Sequence, residues 1–281
     1  MTITSTTCQV LFQCDWLGRT MVVVDEGEYR SLYFDNHMTQ SRMSLAHPLW
    51  LVLPYTRHML ACLLFNNHPR HIFMIGLGGG SLAKFFLYHF PACRLEVVDA
   101  NPVMATVARQ FFFLPVDDRL TLHCADGEAF VTARAGQPPL YDLILVDAFD
   151  HDGMSPTVYA SRLFLKMYPL LTDHGILAFN VNRAEADLYP HIIAHIGDCF
   201  PDAIFRLPVA APSHNEIILC CKQSRPAGDL AALQRHVTAW EELQPDLDFI
   251  DFQQRMVPLK QTAWHQWLDR LTSARGRSML S

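Results

Sequence analysis

The 281-residue chain has no Cys-x-x-Cys pair, no basic run along any expected helix or strand, no apolar run of membrane-spanning length and no internal repeat or low-complexity segment. Each absence excludes a class of protein. Without cysteines paired at ligand spacing, the eight thiols read as reduced, with Cys62, Cys93, Cys124, Cys220 and Cys221 in or beside expected core elements. A formal charge of -6 with no basic run argues against a nucleic acid held through its phosphates, which leaves a small-molecule substrate. The start, Met1 to Cys8, lacks the basic-then-apolar pattern of a signal peptide, so a cytoplasmic protein with no membrane partner is expected. His191 and His195 stand four apart on an expected helix, but no acid or cysteine motif accompanies them, and no metal site is read there.

Half of the residues are apolar, enough for a large core. Four of the 13 glycines fall between positions 76 and 80. They follow the apolar run Ile72-Phe73-Met74-Ile75 and precede a helical segment and a second strand, Arg94-Leu-Glu-Val-Val-Asp99. Strand, glycine turn, helix and strand in this order propose a nucleoside site: Gly76, Gly78 and Gly80 let the backbone turn and lie close to a ligand, and Asp99 can accept both hydroxyl hydrogens of a ribose. The competing reading is a glycine turn that serves packing alone.

Around this stretch the chain falls into three parts. Residues 1–50 read as a β-rich appendage, with a hairpin turning at Glu26-Gly27. Residues 51–225 read as a Rossmann-like α/β domain. It opens with a helix from Leu51 to Phe65 that has Pro54 in its first turn, and it continues as alternating helices and strands. Three successive strands end on acids, Asp99, Asp126 and Asp147, which a parallel sheet brings to one edge. Helices are expected over 102–112, 128–134, 158–171 and 184–200, with a strand over 175–181. The last two strands, 203–209 and 215–222, are joined by too few residues for a crossover, so they must form an antiparallel hairpin. A mostly parallel sheet ending in such a hairpin suits the S-adenosylmethionine-dependent methyltransferase fold better than a dinucleotide dehydrogenase. Residues 226–281 read as a helical tail, whose apolar residues, Trp264 and Trp267 among them, dock on the body or cover a partner subunit.

Gly76-Leu-Gly-Gly-Gly-Ser81, Val97-Val-Asp-Ala-Asn101, Ala125-Asp-Gly127 and Tyr141-Asp-Leu-Ile-Leu-Val-Asp-Ala-Phe-Asp150 together resemble the spermidine synthase family, the polyamine aminopropyltransferases, over roughly residues 32–222. The resemblance implies that Gln40, Asp99, Asp126 and Gly127 hold the nucleoside of decarboxylated S-adenosylmethionine, a co-substrate rather than a tightly bound cofactor. It implies that Asp147 takes a proton from an amine, with Tyr55 and Asp150 as further amine contacts, that no metal is needed, and that the enzyme is a homodimer or larger assembly. The proton acceptor answers a physical need. Exposing the lone pair of an ammonium with a pKa about three units above neutrality costs about 4–5 kcal/mol unless a base shares the proton.

The chain also departs from the family. Asp147-Ala-Phe-Asp150-His151 replaces Asp-Ser-Ser-Asp-Pro, Tyr55-Thr56-Arg57 replaces Tyr-His-Glu, and Gly78 stands near the place of a family acid. Arg57 would repel a polyamine if it faced the pocket, or would hold the carboxylate of intact S-adenosylmethionine. Phe149 packs as core or narrows the acceptor site, and Pro156 stands near a family proline. Three functions follow: aminopropyl transfer, methyl transfer on the same fold, or nucleoside binding without turnover. The first fits Asp147 and Asp150 best.

Overall fold

Near-continuous apolar runs, Ile72-Phe73-Met74-Ile75 and Leu143-Ile144-Leu145-Val146 among them, build the central sheet. The computed structural model describes residues 8–35, 38–150, 153–155, 163–185, 187–200, 204–222 and 247–259. Four strands come first, β1 (Cys8–Trp16), β2 (Arg19–Glu26), β3 (Tyr29–Phe34) and β4 (Met38–Ser44), paired in sequence order as an antiparallel sheet. The expected hairpin is β2–β3, in which Glu26 pairs with Tyr29 and Gly27 adopts a φ of +62°. Helix α1 (Pro54–Met59) begins on Pro54 and tightens into a 3-10 turn over Leu60–Leu64.

The body then alternates: β5 (His71–Ile75), α2 (Ser81–His89), β6 (Arg94–Asp99), α3 (Met104–Phe111), β7 (Leu120–Cys124), α4 (Gly127–Thr132) and β8 (Tyr141–Val146). Two-residue strands β9 (Phe149–Asp150) and β10 (Gly153–Met154) pair with each other. After them come α5 (Leu163–Met167), β11 (Leu171–Asn182), α6 (Leu188–Cys199), β12 (Ile204–Pro208), β13 (Asn215–Cys221), α7 (Phe249–Arg255) and β14 (Val257–Pro258). The eight-stranded sheet has the order β14-β12-β13-β11-β8-β5-β6-β7. Strands β11, β8, β5, β6 and β7 are mutually parallel, and β13, β12 and β14 add antiparallel pairings. This is the expected α/β fold with its terminal hairpin.

Successive residues of each strand point to opposite faces, and the core divides accordingly. Ile72, Met74, Leu95, Val97, Leu143 and Leu145 pack with α2, α3 and the first sheet, Met21, Val23 and Leu32 included. Phe73, Ile75, Val98, Ile144 and Val146 pack with α5 and α6.

Several boundaries differ from the sequence reading, and α1 starts at Pro54 rather than Leu51. Helix α6 starts four residues later than expected, because the Asn182 side chain accepts a hydrogen bond from the Ala184 N–H (3.0 Å) and holds that segment in a turn. Strand β11 reaches back to Leu171, which pairs with Tyr141 before an irregularity leads to Ile176. The tail is not wholly helical, since β14 extends the sheet beside β12. Positions 158–162, Pro156, and the tail at 223–246 and 260–281, with Trp264 and Trp267, lie outside the described residues. Cys62, Cys93, Cys220 and Cys221 are buried free thiols, whereas Cys124, at the end of an edge strand, is exposed. No helix among the described residues is long and apolar enough to cross a membrane.

Candidate active site

The chain reverses its winding between β5 and β8: β5 leads outward to β6 and β7, while β8 leads to β11 on the other side. In open α/β sheets a crevice opens at the carboxyl ends of such a pair of strands. A cavity of about 550 Å³ lies there. Gln40, Tyr55, Gly76, Gly78, Asp99, Asp126, Gly127 and Asp147 all line it. Gly80 does not. At a φ of +73° it caps α2 from outside the cavity, and a Cβ there would meet Leu114 at 3.0 Å. The side chains of Asp150 and Phe149 lie outside the described residues.

The glycine loop is fixed on both sides. Gly76 has a φ of +96° and Gly78 a φ of +51°, conformations that side-chain-bearing residues rarely adopt. The Gly79 N–H donates to Ser41 Oγ of β4 at 2.7 Å, so the first sheet clamps the loop as well as walling the cavity with Trp16, Phe34 and Gln40.

Each acid has its own environment. Asp99 accepts from the N–H groups of Leu77 (2.8 Å) and Asn101 (2.9 Å). Burial pushes its carboxyl above the ordinary value, opposed by these N–H groups and that of Gly78. Asp126 caps α4 by accepting from the Ala129 N–H at 2.8 Å, which turns the start of that helix and the buried Gly127 toward the cavity. Asp147 follows β8 directly and is partly buried. Burial pushes its carboxyl up, and the Asp99 charge adds to the rise; hydrogen bonds from Asn180 and from the Tyr55 hydroxyl oppose it.

The parallel register explains the Asn180 contact. Phe179 of β11 pairs with Val146 of β8, so Asn180 stands beside Asp147, and its Nδ2 donates to Asp147 Oδ1 at 2.9 Å. Sequence reasoning passed over Asn180, as it did Asn182, Ser213 and Asn215 in the same wall. The available signal was an asparagine inside a buried strand, 1% exposed, whose amide must find partners.

Arg57 faces away from this cavity. Its Nη1 donates to the carbonyls of Leu51 (2.6 Å) and Val52 (2.9 Å), and it lines a separate cavity of about 490 Å³ with His58, Asp248, Asp251 and Arg255. Residues two apart on a helix point to nearly opposite sides, which separates Arg57 from Tyr55. Neither expected effect of Arg57, repelling a polyamine or holding a donor carboxylate, therefore acts in the main cavity. Among the described residues lining that cavity are three acids, Asp99, Asp126 and Asp147, and one arginine, Arg42, whose guanidinium lies over the Tyr29 ring at 4.5 Å. His191 is exposed, and no group of three or more metal-ligating side chains occurs among the described residues.

Residues 54–203 match the spermine/spermidine synthase domain. A polyamine aminopropyltransferase of Chromobacterium violaceum is 33% identical over 247 residues, covering 86% of this chain and 92% of that one. A probable spermidine synthase of Corynebacterium glutamicum has the same fold, with a TM-score of 0.66 at 16% identity over 80% of this chain and 86% of the other. Human methyltransferase-like protein 13, solved in complex with SAH, superposes with a TM-score of 0.59 at 27% identity, covering 68% of this chain and 92% of that one.

Proposed function

Because the chain belongs to the spermine/spermidine synthase family, we propose that it transfers an aminopropyl group from decarboxylated S-adenosylmethionine to an amine and releases methylthioadenosine. The observation that carries this reading is Asp147, a carboxylate at the switch point whose burial raises its proton affinity, in the same cavity as Asp99. A carboxylate so perturbed is a stronger base than one in water.

In this reading Asp99 accepts the ribose hydroxyls, with Gln40, Asp126 and Gly127 about the nucleoside and Gly76 and Gly78 giving it close backbone approach. Gly80 contributes by shaping the turn. Tyr55 and Asp150 contact the amine. The amine nitrogen loses its proton to Asp147 and attacks the methylene next to the sulfonium. A C–N bond forms, the C–S bond breaks, and sulfur keeps the electron pair as a neutral thioether. Proximity to Asp147 holds the cationic amine in line.

Charge favours the decarboxylated donor. Three carboxylates against one guanidinium suit a sulfonium and an ammonium, and Arg57 is not available to a donor carboxylate. Arg42 is the feature that favours a second reading, methyl transfer from intact S-adenosylmethionine, since it is the cavity's one described cation. Incubation with either donor against a panel of amines, with products read by mass spectrometry, tests the choice. Methylthioadenosine from the decarboxylated donor supports aminopropyl transfer, and S-adenosylhomocysteine from the intact donor supports the second reading.

We also propose a cytoplasmic homodimer. The exposed thiols of Cys8 and Cys124 fit a reducing compartment, and the outer edge of β1, with Cys8, Gln9 and Val10 exposed, offers a strand edge to a second copy. The division at residues 50 and 225 is proposed on the same footing, with the first sheet as an appendage packed on the catalytic domain.

A further inference from the structure

Asp147 stands at the end of a chain of hydrogen bonds that runs back through three uncharged side chains. Ser213 Oγ donates to Asn215 Oδ1 (2.8 Å), Asn215 Nδ2 donates to Asn180 Oδ1 (2.8 Å), and Asn180 Nδ2 donates to Asp147 Oδ1 (2.9 Å). The Asn215 N–H donates back to Ser213 Oγ at 3.0 Å. Sheet geometry sets up the middle link. Asn182 pairs with Asn215 and Asn180 with Ile217 across β11 and β13, so Asn180 and Asn215 are diagonal neighbours on one face.

The direction of donation is determined. A carboxylate only accepts, so an ionised Asp147 requires the amino group of Asn180 to face it. The Asn180 carbonyl then faces Asn215 and requires that residue's amino group, which leaves the Asn215 carbonyl for the Ser213 hydroxyl. Every dipole points its positive end toward Asp147, and each bond polarises the next. Asn180, at 1% exposure, cannot exchange these bonds for bonds to bulk water without cost.

From this we infer that Ser213 and Asn215 are positioning residues: acting through Asn180, they hold the Asp147 carboxylate turned into the cavity in its ionised form. The inference deepens the reading of Asp147 as the proton acceptor and rests on it for its catalytic meaning. Without the Asn215 amino group, Asn180 is free to turn its carbonyl toward Asp147, an arrangement that favours the protonated acid. Among the described residues, the titratable groups that face Asp147 are Tyr55 on α1 and Asp99 after β6, and loss of the ladder leaves both in place.

The test is a titration of the Asp147 carboxyl carbon by NMR in protein labelled at aspartate carboxyls, assigned by the signal that Asp147→Asn removes. It is made on the wild type, Asn215→Ala, Ser213→Ala and Ser213→Thr. The expected result is an upward move of the midpoint by about one pH unit in Asn215→Ala, a smaller upward move in Ser213→Ala, and none in Ser213→Thr, which keeps the hydroxyl. The acid limb of the pH–rate profile moves with it, while affinity for methylthioadenosine stays within about twofold. Unmoved midpoints in Ser213→Ala and in folded Asn215→Ala overturn the inference. A midpoint that moves in a protein forming no methylthioadenosine leaves the ladder standing and removes the proposed reaction, so the two failures are distinct.

Discussion

The α-carbon of Gly76 lies against the backbone of Asp147. A Cβ added to Gly76 would stand 2.1 Å from the Asp147 carbonyl oxygen, and the Asp147 N–H donates to the Ile75 carbonyl at 2.9 Å. The glycine turn and Asp147 are therefore held directly against each other across the switch point between β5 and β8.

The first prediction follows from that contact. Gly76→Ala must relieve the clash and also hold an alanine at a φ of +96°, a strain on the order of 1–3 kcal/mol. A fall in melting temperature of about 5 °C or more and a loss of turnover of at least about tenfold are expected, measured by calorimetry and a steady-state assay. A variant as stable and active as the wild type would contradict the close approach.

Asp99→Asn keeps the size of the side chain and removes its charge. Loss of charge-assisted hydrogen bonds to the ribose is expected to weaken methylthioadenosine binding by about 1.5–3 kcal/mol, or about 10- to 150-fold, by titration calorimetry. Unchanged affinity would move the nucleoside away from Asp99.

Arg57→Gln separates fold from specificity. Because the Arg57 guanidinium bonds the carbonyls of Leu51 and Val52 outside the main cavity, discrimination between the decarboxylated and intact donors stays within about twofold. Stability falls by about 1–2 kcal/mol as those carbonyls lose their donor. A large change in donor preference would contradict the side chain's placement.

His58 gives the protein an acid-sensitive point. Its Nδ1 donates to the Pro54 carbonyl at 2.8 Å, its ring lies 4.5 Å from that of Phe252, and burial pushes its pKa from 6.5 down to about 4. The unfolded chain takes up this proton first as pH falls. The contribution to stability is thus whole above about pH 6.5 and is lost progressively toward pH 4, on the order of 3 kcal/mol. Chemical denaturation from pH 7 to 4 should show a shallower loss in His58→Phe than in the wild type; equal slopes would contradict the assignment.

The alternation of strand and helix, the antiparallel hairpin and the three acids at one sheet edge were legible because periodicity and strand ends are local properties. The walls were not. Ser41 reaches the Gly79 N–H from 38 residues away, a contact created only when the first sheet docks on the body. Asn180 stands out locally only as an asparagine inside an apolar strand, and its partnership with Asp147 depends on the register between β11 and β8. Arg57 misled because it neighbours Tyr55 in sequence while helix geometry turns it elsewhere, and Gly80 because a glycine serving a helix cap reads like one serving a ligand.

The account rests most on Asp147, and the most direct measurement compares wild type and Asp147→Asn for methylthioadenosine formed from decarboxylated S-adenosylmethionine and amine, by mass spectrometry. The prediction is amine-dependent product in the wild type, a fall of about 10²- to 10⁴-fold in the variant, and nucleoside affinity retained within a few-fold. Product formed equally by both proteins, or by neither although the nucleoside binds, would contradict it.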